Sequence, residues 1–299
     1  MAVAAFGLAS GGQVAAATIA PSALPQVNTV DERFQSYNVE MAEVIGGDFW
    51  KPYAATREPK TAAKLASSFE IGKDPTLFEK RAPVDLTNTR LRRLAAALGP
   101  AYVRVSGTWA NSVFFQDTDA REAGPTPPGY ESVLTRPQWA GVIAFTRAGD
   151  AKLVTSFAIS SGVRDAKGVW TPVQAQPLVA YTKSIGGAIT AAELFNEPTI
   201  AASGGAPDGY NATTYARDEA AFRAFVQANV PDMLIVGPGS VGEGGATLFP
   251  KSVPMLHSAD LLGLIPRRGS MRSPTTTMAP SQSAVRAWDR GSAPPKPRP

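Results

Sequence analysis

A chain of 299 residues that is 44% apolar and 18% charged can fill a sizeable core, which excludes disorder as its overall state. The absence of cysteine removes disulfide scaffolds, thiolate metal sites and thiol nucleophiles together. A net charge of +4 suggests nucleic acid until it is located: residues 266–299 hold seven Lys/Arg and one acid, Asp289, leaving 22 basic against 24 acidic residues in 1–265.

Taken in chain order, Met1 to Ala20 is small and Ala-rich, like the end of a secretion signal, but lacks a basic n-region and a strongly apolar centre. A residual signal and a plain extension over 1–29 both fit, the first implying a secreted or cell-envelope location. No apolar run reaches the roughly 18 residues of a membrane span. Residues 30–263 alternate short apolar runs with helical patterns, the mark of βα units around a parallel sheet. Phe34 to Met41 predicts the first strand, and 46–83 is expected to be irregular. Asn88 to Leu98 predicts a helix with Leu91, Leu94, Ala95 and Leu98 on one face, stopped by Gly99-Pro100. Tyr102 to Val105 is the second strand. Trp139, Val142, Ile143 and Ala144 seed a helix, Leu153 to Ile159 a strand, Pro177 to Ile185 a helix and Ala191 to Phe195 a strand. Thr214 to Val230 is the strongest helix, with Tyr215, Phe222, Phe225 and Val226 aligned. Met233 to Val236 is the fifth strand. Five such units fit an α/β fold, either a (β/α) barrel or an open doubly wound sheet.

In a parallel barrel, reactive groups project from the carboxyl ends of the strands. Those ends deliver Asn38 and Glu40, then Ser106 to Asn111, then Ser160-Ser161-Gly162, then Asn196-Glu197-Pro198, then Pro238-Gly239-Ser240. Polar groups, carboxylates and Trp109 on one rim suit a carbohydrate better than a phosphate ligand, and no phosphate-cradling glycine loop appears. Pro198 cannot extend a strand, so the chain turns and leaves Glu197 at the rim. A carboxyl group in a partly desolvated cleft has its pKa raised and can protonate a leaving oxygen. The adjacent Asn196 amide can bond a sugar hydroxyl. Trp109 and Trp50 could stack on a sugar face or fill core, with packing favoured for Trp50. His257, the only histidine, lacks a serine elbow or metal-ligand partners and is read as structural or exposed.

Three segments make the chain recognisable: Asp31-Glu32-Arg33-Phe34-Gln35-Ser36-Tyr37-Asn38-Val39-Glu40, Leu98-Gly99-Pro100-Ala101-Tyr102-Val103-Arg104-Val105-Ser106-Gly107-Thr108, and Ala192-Glu193-Leu194-Phe195-Asn196-Glu197-Pro198. Over roughly 30–260 the chain resembles the heparanase-like β-glucuronidases of glycoside hydrolase family 79, retaining enzymes on a (β/α)8 TIM barrel. The resemblance implies that Glu197 is the general acid/base, that Asn196, Glu40 and Thr108 contact the sugar, and that no metal or organic cofactor is needed. The partner it implies is a glucuronide-containing glycoside or polysaccharide, not a specific nucleic acid.

The sequence then departs from the family. A retaining glycosidase needs a second carboxylate roughly 5–5.5 Å from the first, acting as nucleophile. In this family it comes from strand seven, and the residues after Ser240 carry no pattern for strands six to eight. Glu243 lies in a Gly-rich loop and is read as a loop or substrate-contact residue. The expectation is therefore an incomplete barrel of strands one to five that lacks its nucleophile and is inactive as it stands, with a non-catalytic carbohydrate-binding protein as the alternative. The Pro/Arg-rich stretch 264–299 is expected to be a disordered tail, because Pro breaks helices and strands alike. It also has the look of out-of-frame translation. A slipped frame over Ser273 to Ala279 permits Phe-Ser-Tyr-His-Tyr-Tyr-Gly, which resembles the family's strand-six motif, while a native Pro-rich basic linker able to hold a polyanion is the other reading.

Overall fold

The structure is a computed structural model that describes residues 20, 22, 24–26, 29–52, 78–241 and 255–265. Most of 1–29, the tail from 266 and Glu243 lie outside the described residues. The chain divides into two compact units, Met1–Val30 and Asp31–Pro299, and the described strands and helices belong to the second.

β1 (Ser36–Glu40) runs directly into the short helix α1 (Met41–Ile45), so Met41 starts a helix where the sequence suggested the end of a strand. Gly46, at φ 74°, turns the chain into β2 (Gly47–Trp50), which pairs antiparallel with β3 (Phe78–Arg81). This pair occupies the ends of the stretch expected to be irregular; its strands are too short and too charged to show an alternation. α2 (Thr89–Ala97) is capped by Asn88, whose side chain accepts from the N–H groups of Arg90 and Leu91. β4 (Ala101–Ser106) follows, then a 3-10 turn over Thr108–Ser112 and β5 (Val113–Gln116). β5 pairs in parallel with β6 (Ser132–Thr135), a second small sheet with no counterpart in the sequence pattern. α3 (Arg136–Ala148) opens on a capping box between Thr135 and Gln138. β7 (Ala151–Ser156), α4 (Ala175–Ser184), β8 (Ile189–Glu193), α5 (Ala212–Asn229), the two-residue β9 (Leu234–Ile235) and α6 (Ser258–Gly263) complete the described elements.

β1, β4, β7, β8 and β9 form one parallel sheet in chain order. An order without reversal is that of a singly wound sheet and differs from the doubly wound alternative, in which the order reverses at a switch point. The fold is thus α/β with a parallel sheet, and no closed barrel occurs among the described residues.

Alternation along the strands divides the apolar residues between the two faces of the sheet. On one face Val103, Val105, Leu153, Ala192 and Ile235 join the main core with Trp139, Val142 and Ile143 of α3, Leu178 and Val179 of α4, and Phe222, Phe225 and Val226 of α5. On the other, a smaller cluster of Tyr102, Val154 and Ala191, with Leu234 and Val236 against it, fills the space below the polar layer described next. Two apolar residues of the helix predicted over Asn88 to Leu98 depart from expectation. Ala95 is buried toward the end of α3, but Leu94 and Leu98 are 59% and 46% exposed. Leu94 lies about 100° round the helix from Ala95, and Leu98 falls beyond the last helical turn.

α5 also buries two acids. Asp218 is paired with Arg164 and accepts from the Trp170 N–H, while Glu219 is paired with Arg223 one turn on. Burial pushes the Glu219 carboxyl up to about 7, against the pull of Arg223. A raised carboxyl contributes stability that is complete below its unfolded value near 4.5 and is lost as pH rises through about 7. We expect this to amount to about 3 kcal/mol across that window. Urea denaturation as a function of pH should show this decline, and Glu219→Gln should abolish it.

Candidate active site

The carboxyl ends of the strands come to one level. Register pairs Glu40 with Ser106 and Ser156 with Glu193, and the Ser106 and Ser156 hydroxyls lie 2.6 Å apart. A polar row, Glu40–Ser106–Ser156–Glu193, therefore crosses four strands on the face away from the helices. Arg104, two residues before Ser106, points to the same face and reaches along it. Its Nε donates to Glu193 Oε1 at 3.1 Å, and its Nη2 donates both to that oxygen and to Asn196 Oδ1, the latter at 2.8 Å. Ser106 Oγ lies 3.5 Å from Glu193 Oε1.

Two glycines make room for these carboxylates. A Cβ at Gly107, which sits at φ 103°, would collide with Glu40 Oε2, and one at Gly239 would collide with Glu193 Oε2. Glu193 is thus enclosed between Arg104, Ser106 and the backbone that follows β9.

Beyond β8 the buried Leu194 and Phe195 carry the chain to Asn196. Glu197 follows in the left-handed region, at φ 52° and ψ 58°, and Pro198 opens a run of 3-10 turn to Ser203. A left-handed non-glycine residue costs about 1–2 kcal/mol, so the surrounding contacts must enforce it. Asn196 Nδ2 donates to Thr108 Oγ1 at 3.4 Å, and its Oδ1 is held by Arg104. The segment after β4 is thereby bonded to the segment after β8.

Electrostatics follow from this clustering. Burial raises the Glu197 carboxyl above the ordinary carboxylate range and Glu193 pushes it further, against Arg104 and the Asn196 amide. Burial likewise raises Glu40, opposed by Arg104 and assisted by Glu43 and Glu197. Glu193 is raised by complete burial although Arg104 pulls it down. Burial also works against the Arg104 cation, but Glu193, Glu40 and Glu197 together hold its pKa above the usual value. One guanidinium thus serves three carboxylates. A half-buried acid that keeps its proton to higher pH, beside a fixed amide and a cation, is equipped for proton transfer to an oxygen brought against it.

The structure brings Glu197, Asn196, Thr108 and Glu40 into this one cluster. Trp109 is half-buried and belongs to an adjoining aromatic group, its ring 5.4 Å from Phe49, 6.3 Å from Phe78 and 6.4 Å from Trp50. Trp50 stacks on Phe78 at 4.6 Å and remains 39% exposed. Asn38, from strand one, is exposed, and the Ser160-Ser161-Gly162 segment begins a short 3-10 turn. His257 is exposed at the start of α6. Sequence reasoning missed Arg104 and Glu193. The signal for Arg104 was the period-2 alternation in Tyr102-Val103-Arg104-Val105-Ser106, which places Arg104 and Ser106 on the face away from the helices.

No cluster of three or more His, Cys, Asp or Glu able to hold a metal occurs among the described residues. A cavity of about 930 Å³ lies between the start of α5 and α6, and no residue of the polar row lines it. No described helix is long and apolar enough to cross a membrane. No family model and no curated protein matches the chain.

Proposed function

We propose that this chain carries the acid/base half of a retaining glycoside hydrolase acting on β-glucuronides or related glycosidic bonds, with Glu197 as the acid/base; its nucleophile is not among the described residues, and turnover requires that second carboxylate. The observation that carries the reading is the meeting of Glu197, Asn196, Thr108, Glu40 and Arg104 at the carboxyl ends of three parallel strands. In this reading β1, β4, β7, β8 and β9 are strands one to five of a (β/α)8 barrel. Glu197 gives its proton to the departing oxygen and then, as carboxylate, takes one from the incoming water. Asn196, its carboxamide fixed between Arg104 and Thr108, faces the sugar. Trp109 contributes an aromatic wall. The glucuronide itself rests on the resemblance of the three segments, and export to the cell envelope or beyond rests on the first twenty residues.

Carbohydrate binding without turnover is the second reading, and one observation favours it. The carboxylates facing Glu197 among the described residues are Glu193, committed to Arg104, and Glu40, which the resemblance makes a sugar contact. Hydrolysis of a chromogenic β-glucuronide by the wild type and Glu197→Gln, beside calorimetric titration with glucuronic acid, separates the two. Turnover lost in the variant supports the enzyme. Sugar binding with no turnover in either protein supports the binding module, and equal turnover in both removes Glu197 from the chemistry.

A further inference from the structure

One side chain from outside the segment brackets the left-handed turn at Glu197. Asn111 sits in the 3-10 turn after β4, fully buried and remote in sequence. Its Oδ1 accepts from the Asn196 N–H at 2.9 Å, and its Nδ2 donates to the Asn196 carbonyl at 3.0 Å. A single carboxamide thus pairs with residue 196 as a neighbouring strand would, on both its backbone groups. The second Nδ2 hydrogen goes to the Gly204 carbonyl at 2.7 Å. Asn196 and Gly204 are the residues immediately before and after the segment 197–203, so the carboxamide closes the turn across its base. Asn111 is anchored in its own right, because its carbonyl accepts from the N–H groups of Ile159 and Ser160 at 2.8 and 3.1 Å. Side chain and carbonyl together bond the segment after β4 to those after β7 and β8.

We propose that Asn111 is the positioning residue for Glu197: by clamping residue 196 and closing the turn to Gly204, it fixes the backbone that aims the Glu197 carboxyl into the cluster around Arg104. An extended residue 197 would turn its side chain out of the cluster; the local bonds there are the Ile200 N–H to the Glu197 carbonyl at 3.0 Å and the Asn196 amide to the Glu197 carboxyl. The charged groups facing Glu197 there are Arg104, Glu193 and Glu40. Releasing the clamp should carry Glu197 away from them and into water. A carboxamide with all three side-chain hydrogen-bonding atoms used has no isosteric substitute. Aspartate keeps the acceptor but places a carboxylate oxygen against two carbonyls.

The test uses the full chain with ¹³C-labelled glutamate. Carboxyl titration by NMR is followed in the wild type, Asn111→Ala and Asn111→Asp, with Glu219, on the far helix α5, as an internal reference. In both folded variants the Glu197 titration should fall toward the ordinary carboxylate range while that of Glu219 stays put. In a form of the protein that turns over a glucuronide, the alkaline limb of hydrolysis should move down with Glu197, kcat falling at least tenfold with little change in KM. A Glu197 titration that does not move, or one that moves together with Glu219, overturns the proposal. So does recovery of both variants only as unfolded chain, which would make Asn111 a folding residue and nothing more. The kinetic arm rests on the acid/base reading of Glu197, but the titration arm does not. A shifted titration without turnover in any variant therefore fails that reading and leaves the clamp standing.

Discussion

In a form of the protein that supplies the second carboxylate, Glu197→Gln should reduce turnover of a β-glucuronide with a poor leaving group about 100- to 10,000-fold, the usual range for a positioned acid/base. Glutamine preserves size and hydrogen bonding but has no proton to transfer, so the loss measures proton transfer and not packing. The loss should shrink for a nitrophenyl leaving group, which needs less protonation as it departs. The pH profile gives an independent check. Burial and Glu193 raise the Glu197 carboxyl, so the protonated form survives to higher pH than an ordinary carboxyl would. Activity should therefore persist above the usual carboxylate range and fall as pH rises through the raised value, and Glu197→Gln should flatten that limb. Profiles that coincide for wild type and variant would exclude the role.

Arg104→Met should destabilise the fold by about 3–5 kcal/mol at neutral pH, the usual consequence of leaving one member of a buried ion pair alone. Against a typical total of about 5–15 kcal/mol this threatens folding at ordinary temperature. Glu193 would bear the consequence: it is almost wholly enclosed, and Arg104 supplies both its counter-charge and two of its hydrogen bonds. The sign of the pH effect follows. Without Arg104 the Glu193 carboxyl rises further, so the variant loses its extra stability as pH rises and recovers toward the wild type as acid protonates the group. Urea midpoints at about pH 5 and pH 8 should show a larger deficit at the higher value. Arg104→Met combined with Glu193→Leu should restore part of the loss, since no isolated charge remains. Equal midpoints for the single variant and wild type at neutral pH would show that this pair does not hold the rim together. Arg104 also lowers Glu40 and Glu197, so in any Arg104→Met protein that folds the alkaline limb should move upward.

The parallel βα order was legible because burial on a helix and on a strand each impose a period, and five units repeated the pair of periods in sequence. Asn196-Glu197-Pro198 was legible because proline ends a strand wherever it falls. Arg104 and Glu193 were harder to find: each sits within an apolar run and shows its purpose only once β4 and β8 are brought into one sheet. Asn111 could not be found at all. Its partners are 85 and 93 residues away, and nothing in Trp109-Ala110-Asn111-Ser112 distinguishes a clamp from a surface turn. The β2–β3 pair and its aromatic group were hidden for a related reason, since four-residue strands acquire their register from a distant partner.

By itself, then, the sequence determined the strands of the parallel sheet, the longer helices between them and which acids stand at strand ends, because those depend on neighbours within a few residues. Only the tertiary structure decided which carboxylate is neutralised by Arg104, which keeps its proton, and what holds Glu197 in a left-handed turn. Charge, burial and hydrogen bonding at this site are set by groups from four separate strands, and their energies depend on distances that chain order does not contain.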